Sequence, residues 1–259
     1  MNFASPLERG RLLRRYKRFL ADIELDAGTV VTAHCPNPGS MSTCIVEGGV
    51  VWLSHHSSPR RKLEWTWELA EVEGEIVYLN PVALNAVVAE AIEAGRVAEL
   101  GGYVELRREV RIGERSRVDF QLLSSAAEGR EGESDRCWVE VKSATLHLGG
   151  GLIAFPDAVT QRGRRHLEEL ARARRAGSRA VLLWCASRSG ARSVCPADHI
   201  DPAYGHALRQ AIEGGVELLA YRLAITQRGV SLAERVPALS RLPSDGASPE
   251  RSDGVDREA

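Results

Sequence analysis

The 259-residue sequence predicts a two-domain α/β (α+β) protein, a small β-barrel followed by an α/β domain, on three observations. Up to Asn80 the chain breaks into short alternating segments separated by turn residues, the pattern of strands with one buried face. From Asn80 the apolar period becomes helical, and helices and strands then follow one another. Within this C-terminal region, a pair of strand-like phrases, Arg117-Val118-Asp119-Phe120 and Val139-Glu140-Val141-Lys142, carries the charges Asp119, Glu140 and Lys142 within apolar runs.

In the N-terminal region, Arg9 to Arg18 is a basic run that leads into Phe19 to Leu25, which alternates like a strand. Gly28 marks a turn, Thr29 to His34 is strand-like, and Pro36-Asn37-Pro38-Gly39-Ser40-Met41 is a rigid loop rich in turn residues. Strands follow at Val50 to Ser54, Leu63 to Val72 and Glu75 to Leu79. Five short strands over this length fit an OB-type barrel, a design that commonly binds nucleic acids. A generic β-domain of this length would show the same pattern.

Asn80-Pro81 opens a helix in which Val82, Leu84, Val87, Val88, Ala91 and Ile92 recur until Gly95. Strands are expected at Tyr103 to Val110, Ser116 to Leu123 and Cys137 to Lys142, and then a flexible Gly149-Gly150-Gly151 loop beside the site. A helix over Asp157 to Ala176, a buried strand at Ala180 to Cys185, a helix at Pro202 to Glu213 and a strand at Val216 to Ile225 complete the series. Helix, three strands, helix, strand is the order of a restriction-endonuclease-like core. The expected domains are therefore 1–80, an OB-like nucleic-acid-binding unit, and 81–238, a nuclease-like unit, with 239–259 a disordered acidic tail.

Composition is that of a globular protein, with 44% hydrophobic and 27% charged residues, and the longest apolar run, Ala180 to Ala186, is too short to span a bilayer. The N-terminus has no charged leader followed by an apolar segment, so a cytoplasmic location is expected, with no membrane partner. Five cysteines without CxxC spacing read as buried thiols rather than a zinc site. The net charge of −1 hides an asymmetry: residues 1–20 hold six basic side chains against one acid, and 243–259 hold five acids against two arginines. Of 34 basic residues only Lys17, Lys62 and Lys142 are lysines, so a lysine at the charge cluster stands out.

Two carboxylates and a lysine on paired strands suit phosphodiester hydrolysis. Asp119 and Glu140 would hold Mg²⁺ or Mn²⁺ through hard oxygen ligands, and Lys142 would orient the attacking water or offset charge in the transition state. The spacing fits the loose PD-(D/E)xK signature, with Val118 where that signature has proline. A half-exposed strand bearing an ordinary Glu-Lys pair would look the same. Glu90 and Glu109 are further candidates to complete a metal shell. For DNA, single-stranded or duplex, the candidate contacts are Arg11, Arg14, Arg15, Lys17 and Arg18, with Tyr16 and Phe19 available for base stacking, together with Arg61, Lys62 and Arg162. No Walker loop, Ser or Cys nucleophile with a placed His, or helix-turn-helix is evident.

The phrases Arg14 to Asp22, His34 to Met41, Arg117 to Phe120, Val139 to Ser143 and Phe155 to Gly163 closely resemble the sugar fermentation stimulation protein A (SfsA) family, in the right order over roughly residues 1–237. The resemblance implies a DNA-binding protein with an N-terminal OB-like domain and a C-terminal nuclease-like domain, associated with regulation of sugar (maltose) metabolism. By the same resemblance Asp119, Glu140 and Lys142 fall on nuclease-type positions. Folds of this class host both cleaving enzymes and proteins that only bind, so a magnesium-dependent nuclease and a non-catalytic regulator of sugar-metabolism genes remain the two readings.

Overall fold

A computed structural model describes residues 1–57, 61–113, 116–125 and 135–243. Of the expected disordered tail, residues 244–259 lie outside these residues, as does most of the polar loop between the two charged strands; residues 239–243 are described, and Leu239 N donates to the Val194 carbonyl at 2.8 Å. In the N-terminal region the strands are β1 (Glu8–Tyr16), β2 (Leu20–Leu25), β3 (Val30–His34), β4 (Val50–His55), β5 (Trp65–Val72) and β6 (Glu75–Tyr78). Their order is β3-β2-β1-β4-β5-β6, and a parallel β3–β5 pairing closes β1 to β5 into a barrel.

The closure corrects the sequence reading in one respect. The basic run at residues 9–16 is itself a strand, β1, hydrogen-bonded on both sides to β2 and β4. It has both buried and exposed positions: Gly10 and Leu12 point inward, and Arg9, Arg11 and Leu13 point outward. Gly10 is required where β1 crosses β2, because a Cβ there would lie 2.6 Å from the Glu24 carbonyl oxygen. The barrel interior is filled by Leu12, Ile23, Met41, Leu53, Trp67 and their neighbours.

The C-terminal region contains α1 (Pro81–Glu93), a 3-10 turn at Ala98–Leu100, β7 (Glu105–Ile112), β8 (Ser116–Leu123), β9 (Arg136–Ala144), β10 (Leu146–His147), β11 (Leu152–Phe155), α2 (Gln161–Arg175), β12 (Arg179–Ala186), β13 (Ser193–Pro196), α3 (Pro202–Glu213), β14 (Glu217–Thr226) and β15 (Gly229–Arg235). The main sheet runs β15-β14-β12-β9-β8-β7. β9, β12 and β14 are parallel, and the flanking pairs are antiparallel. Parallel strands buried on both faces explain why β12 reads as a continuous apolar run.

The helices start where capping chemistry allows. Asn80 caps α1 through Ala83 N, with Pro81 in the first turn, and Asp201 caps α3 through Tyr204 N, with Pro202 likewise. α2 begins four residues later than its periodicity predicts. Thr160 is its cap, accepting from Gly163 N, while Asp157 is used on the barrel. Gly149 to Gly151, expected as a flexible loop, form the turn between β10 and β11, all three with positive φ. β10, β11 and β13 form a small second sheet that the sequence reading lacked, and β15 is likewise additional.

The main sheet is covered on both faces. α1 packs with Phe120, Leu122, Val139 and Val141 on one side, and α2 and α3 pack with Val118, Trp138, Leu182 and Trp184 on the other. Trp52, Leu69 and Tyr78 of the barrel join the α1 cluster, so barrel and α/β domain share a core. Arg188, fully buried, ties them further through Glu75 at 2.8 Å and the Thr43 carbonyl at 3.0 Å.

Candidate functional site

β9 carries Glu140 and Lys142 on its α2 face, since the intervening Val139 and Val141 pack toward α1. Glu140 is 2% exposed and lies inside the domain. One of its oxygens, Oε1, contacts both Lys142 Nζ and His166 Nδ1. The other, Oε2, is buried without a hydrogen-bond partner. Burial alone would raise this carboxyl, but the charge of Lys142 and the hydrogen bond from His166 outweigh it and hold the pKa below the ordinary value.

Asp119 is reached by another route. Antiparallel β8 and β9 pair through Phe120–Val139 to Leu123–Arg136, the hairpin expected from the apolar pattern. Val118 and Phe120 nevertheless belong to opposite faces of the sheet, so regular alternation breaks at Asp119. Its carboxylate accepts from Asn85 Nδ2 at 2.6 Å and from Val141 N at 2.7 Å, substituting a side chain for a ladder carbonyl. Burial, then the nearby Glu140 charge, push the Asp119 carboxyl up to about 6. The three charges of the sequence motif are thus gathered electrostatically, with Asp119 held from the α1 side and Glu140 from the α2 side.

Sequence reasoning did not assign Asn85, and it placed His166 only with Arg162, Arg164 and Arg165 at the basic start of α2, within reach of a backbone phosphate. Asn85 was visible as the one polar side chain in the interior of the apolar stretch Val82 to Ala89. His166 was visible only as part of a basic helix start, and it is 4% exposed. Arg162, one turn earlier, points its Nε at His166 Nε2, 3.4 Å away.

Neither of the other candidates joins Asp119 and Glu140 in a group that could hold an ion. Glu90 pairs with the Met1 ammonium at 2.7 Å and with Arg96 at 3.0 Å, on the surface of α1. Glu109 is exposed with φ +52°, at the point where the β7–β8 register passes from Arg108–Phe120 to Val110–Val118. Among the described residues no three His, Cys, Asp or Glu side chains gather as a metal shell. Asp119 and Glu140 are two hard carboxylate donors, of the kind that suits Mg²⁺ or Mn²⁺ when water or substrate oxygens complete the shell. The buried, unpartnered Glu140 Oε2 fits that role, because an isolated carboxylate oxygen inside a domain is costly without a cation or donor.

The residues of the basic strand divide by what they contact. Arg15 donates to the carbonyls of Arg18, Asn37, Gly39 and Ser40, and so shapes the loop after β3. Arg14 pairs with Asp22 at 2.8 Å and lies over the Tyr16 ring, and Arg11 donates to the Gly48 carbonyl. Lys17 and Arg18 form the exposed β1–β2 turn with φ +49° and +65°, and Phe19 beside them is 45% exposed. Arg61 and Lys62 are exposed before β5, with Arg61 reaching Thr66 Oγ1. The loop that Arg15 shapes abuts the approach to α2: Met41 N donates to Asp157 Oδ2 at 2.9 Å and Ser40 Oγ to the Asp157 carbonyl at 2.6 Å.

Fold and site together define a two-domain protein, an OB barrel joined to a restriction-endonuclease-like α/β domain. The N-terminal OB domain model of the sugar fermentation stimulation family matches residues 13–79, and the family's RE domain model matches residues 82–229. The chain is 52% identical over 240 residues to a sugar fermentation stimulation protein homolog of Pseudomonas aeruginosa, covering 92% of this chain and 99% of that one. A Geobacter metallireducens homolog is 50% identical over 240 residues, with 92% and 100% covered. The chain belongs to the sugar fermentation stimulation protein family. The SfsA of Pyrococcus furiosus, solved in complex with Ca²⁺, superposes with a TM-score of 0.80 at 26% identity over 92% of this chain and 97% of that one. No helix among the described residues is long and apolar enough to cross a membrane.

Proposed function

We propose that the chain binds DNA through its barrel and hydrolyses phosphodiester bonds at Asp119, Glu140 and Lys142 with a divalent cation. The observation that carries this reading is Glu140: a buried carboxylate with Oε1 held by Lys142 and His166 and Oε2 left without a partner, its charge felt at Asp119. The Ca²⁺ bound by the Pyrococcus furiosus relative supports a divalent ion in the family. Asp119 and Glu140 would hold Mg²⁺ or Mn²⁺, which when bound supplies polarisation of the scissile phosphate.

The chain's own residues do the rest. Lys142 Nζ contacts Glu140 Oε1 and lies 3.3 Å from His166 Nδ1, and with three protons it keeps at least one for a phosphate oxygen or the attacking water. Arg162, exposed in the first turn of α2, adds charge where the helix dipole also favours an anion. On the barrel, Lys17 and Arg18 present cations and Phe19 a ring for base stacking.

The second reading, DNA binding without cleavage in regulating sugar-metabolism genes, is favoured by one observation. Both Asp119 oxygens already accept hydrogen bonds from the protein itself. The test is incubation of purified protein with single-stranded, duplex and branched DNA, with Mg²⁺ or Mn²⁺ and with chelator. Cleavage that disappears in Asp119→Ala, Glu140→Ala and Lys142→Ala while binding survives supports the first reading. Retardation of DNA without cleavage on any substrate leaves the second. No retardation at low salt removes both.

A further inference from the structure

Resting on the metal-site reading above, we infer that His166 is a positioning residue that fixes which oxygen of Glu140 faces the ion. The geometry assigns its roles. Arg162 Nε lies 3.4 Å from His166 Nε2 and Lys142 Nζ lies 3.3 Å from Nδ1, both obligate donors; the contact of Nδ1 with the Glu140 carboxylate, an acceptor, puts the ring proton on Nδ1 and leaves Nε2 to accept. His166 Nδ1 then donates to Glu140 Oε1, the same oxygen that Lys142 holds. Two donors on Oε1 and none on Oε2 prevent the carboxylate from rotating to share its oxygens, and Oε2 is left as the single coordinating atom.

The surroundings make the arrangement rigid. His166 is 4% exposed on α2, with both ring nitrogens in contact, Nδ1 with Glu140 and Nε2 with Arg162. Gly163 is needed there, since a Cβ would lie 2.7 Å from Thr160 Cγ2 of the helix cap. Arg162 therefore has a second task besides any phosphate contact: it favours the tautomer in which His166 donates toward Glu140. Partners of this kind orient the groups that bind metal, and their loss typically weakens metal binding about 10- to 100-fold.

The test is calorimetric titration of Mn²⁺ alone into the full chain at fixed pH, without DNA, with melting temperatures as the fold control. His166→Ala is expected to weaken Mn²⁺ about 10- to 100-fold. His166→Asn, whose amide N–H reaches the place of Nδ1, is expected to recover most of that loss. His166→Gln, whose amide reaches the place of Nε2, is expected to stay as weak as His166→Ala. A purely space-filling histidine would order the variants by melting temperature instead. If His166→Ala does not fold, the comparison of Asn with Gln carries the test. Wild-type-like Mn²⁺ affinity in His166→Ala, or Asn no better than Gln, overturns the inference and leaves the metal site standing. A wild type that binds no Mn²⁺ overturns the metal-site reading and the inference with it.

Discussion

Asp119 gives the sharpest test of the site, because its carboxyl is held at about 6 against an ordinary 3.8. Between those values the folded chain binds more protons at this group than the unfolded chain. The stability it contributes is therefore complete below pH 3.8 and is lost as pH rises through about 6. At 1.36 kcal/mol per unit the whole effect is about 3 kcal/mol, of which about 1.3 kcal/mol falls between pH 5 and pH 7. Glu140, held below its ordinary value, works in the opposite sense at lower pH, so the quantity to compare is the difference between wild type and Asp119→Asn. That variant cannot titrate, and the hydrogen bond it forfeits to Asn85 or Val141 N gives an offset of about 1–3 kcal/mol that does not change with pH. Urea unfolding of the metal-free chain, followed through Trp138 and Trp184 of the second core, should show the wild type losing about 1.3 kcal/mol relative to the variant from pH 5 to pH 7. Mn²⁺ at a hundredfold excess over its Kd should add about 2.7 kcal/mol to the wild type and little to the variant. A difference that stays flat with pH would refute the burial and Glu140 repulsion assigned to Asp119.

Three further outcomes follow from regions outside the charge cluster. Arg188→Ala leaves Glu75 without its partner and a cavity at the domain junction, and should destabilise the chain by about 3–5 kcal/mol, measured by urea unfolding. Gly39→Ala places a Cβ 2.2 Å from Asp157 Oδ2, so the carboxylate must leave Met41 N; a loss of about 1–3 kcal/mol in urea unfolding is expected. Lys17→Ala with Arg18→Ala should lower the log-log salt dependence of duplex DNA binding by about 1.8, and Phe19→Ala should weaken single-strand binding by about 1–3 kcal/mol, both read by fluorescence anisotropy.

Arg15 shows where reading the sequence stops. As one of six basic side chains among residues 1–20 it looked like a phosphate contact, yet four carbonyls occupy it. Charge is a property of the chain, and whether a charge is available depends on neighbours that are remote in sequence. The same holds for Asp157, which periodicity placed inside α2 and which the barrel loop draws out as a tether. Strand and helix periods were legible because each element must bury one face, and that requirement is written locally in which positions are apolar. The basic run escaped that logic because only half of β1 faces the barrel core, and glycine fills one of its inward positions.

By itself, then, the sequence determined the two-domain architecture, the hairpin that brings Asp119 toward Glu140, and the family to which the chain belongs. The tertiary structure alone decided which donors hold those carboxylates. Asn85 lies 34 residues before Asp119 and His166 lies 26 after Glu140, and neither separation leaves a periodic trace. The physical reason is that burial of an apolar face is repeated along an element, whereas a hydrogen bond to a buried carboxylate is made once, by whichever helix packing brings there.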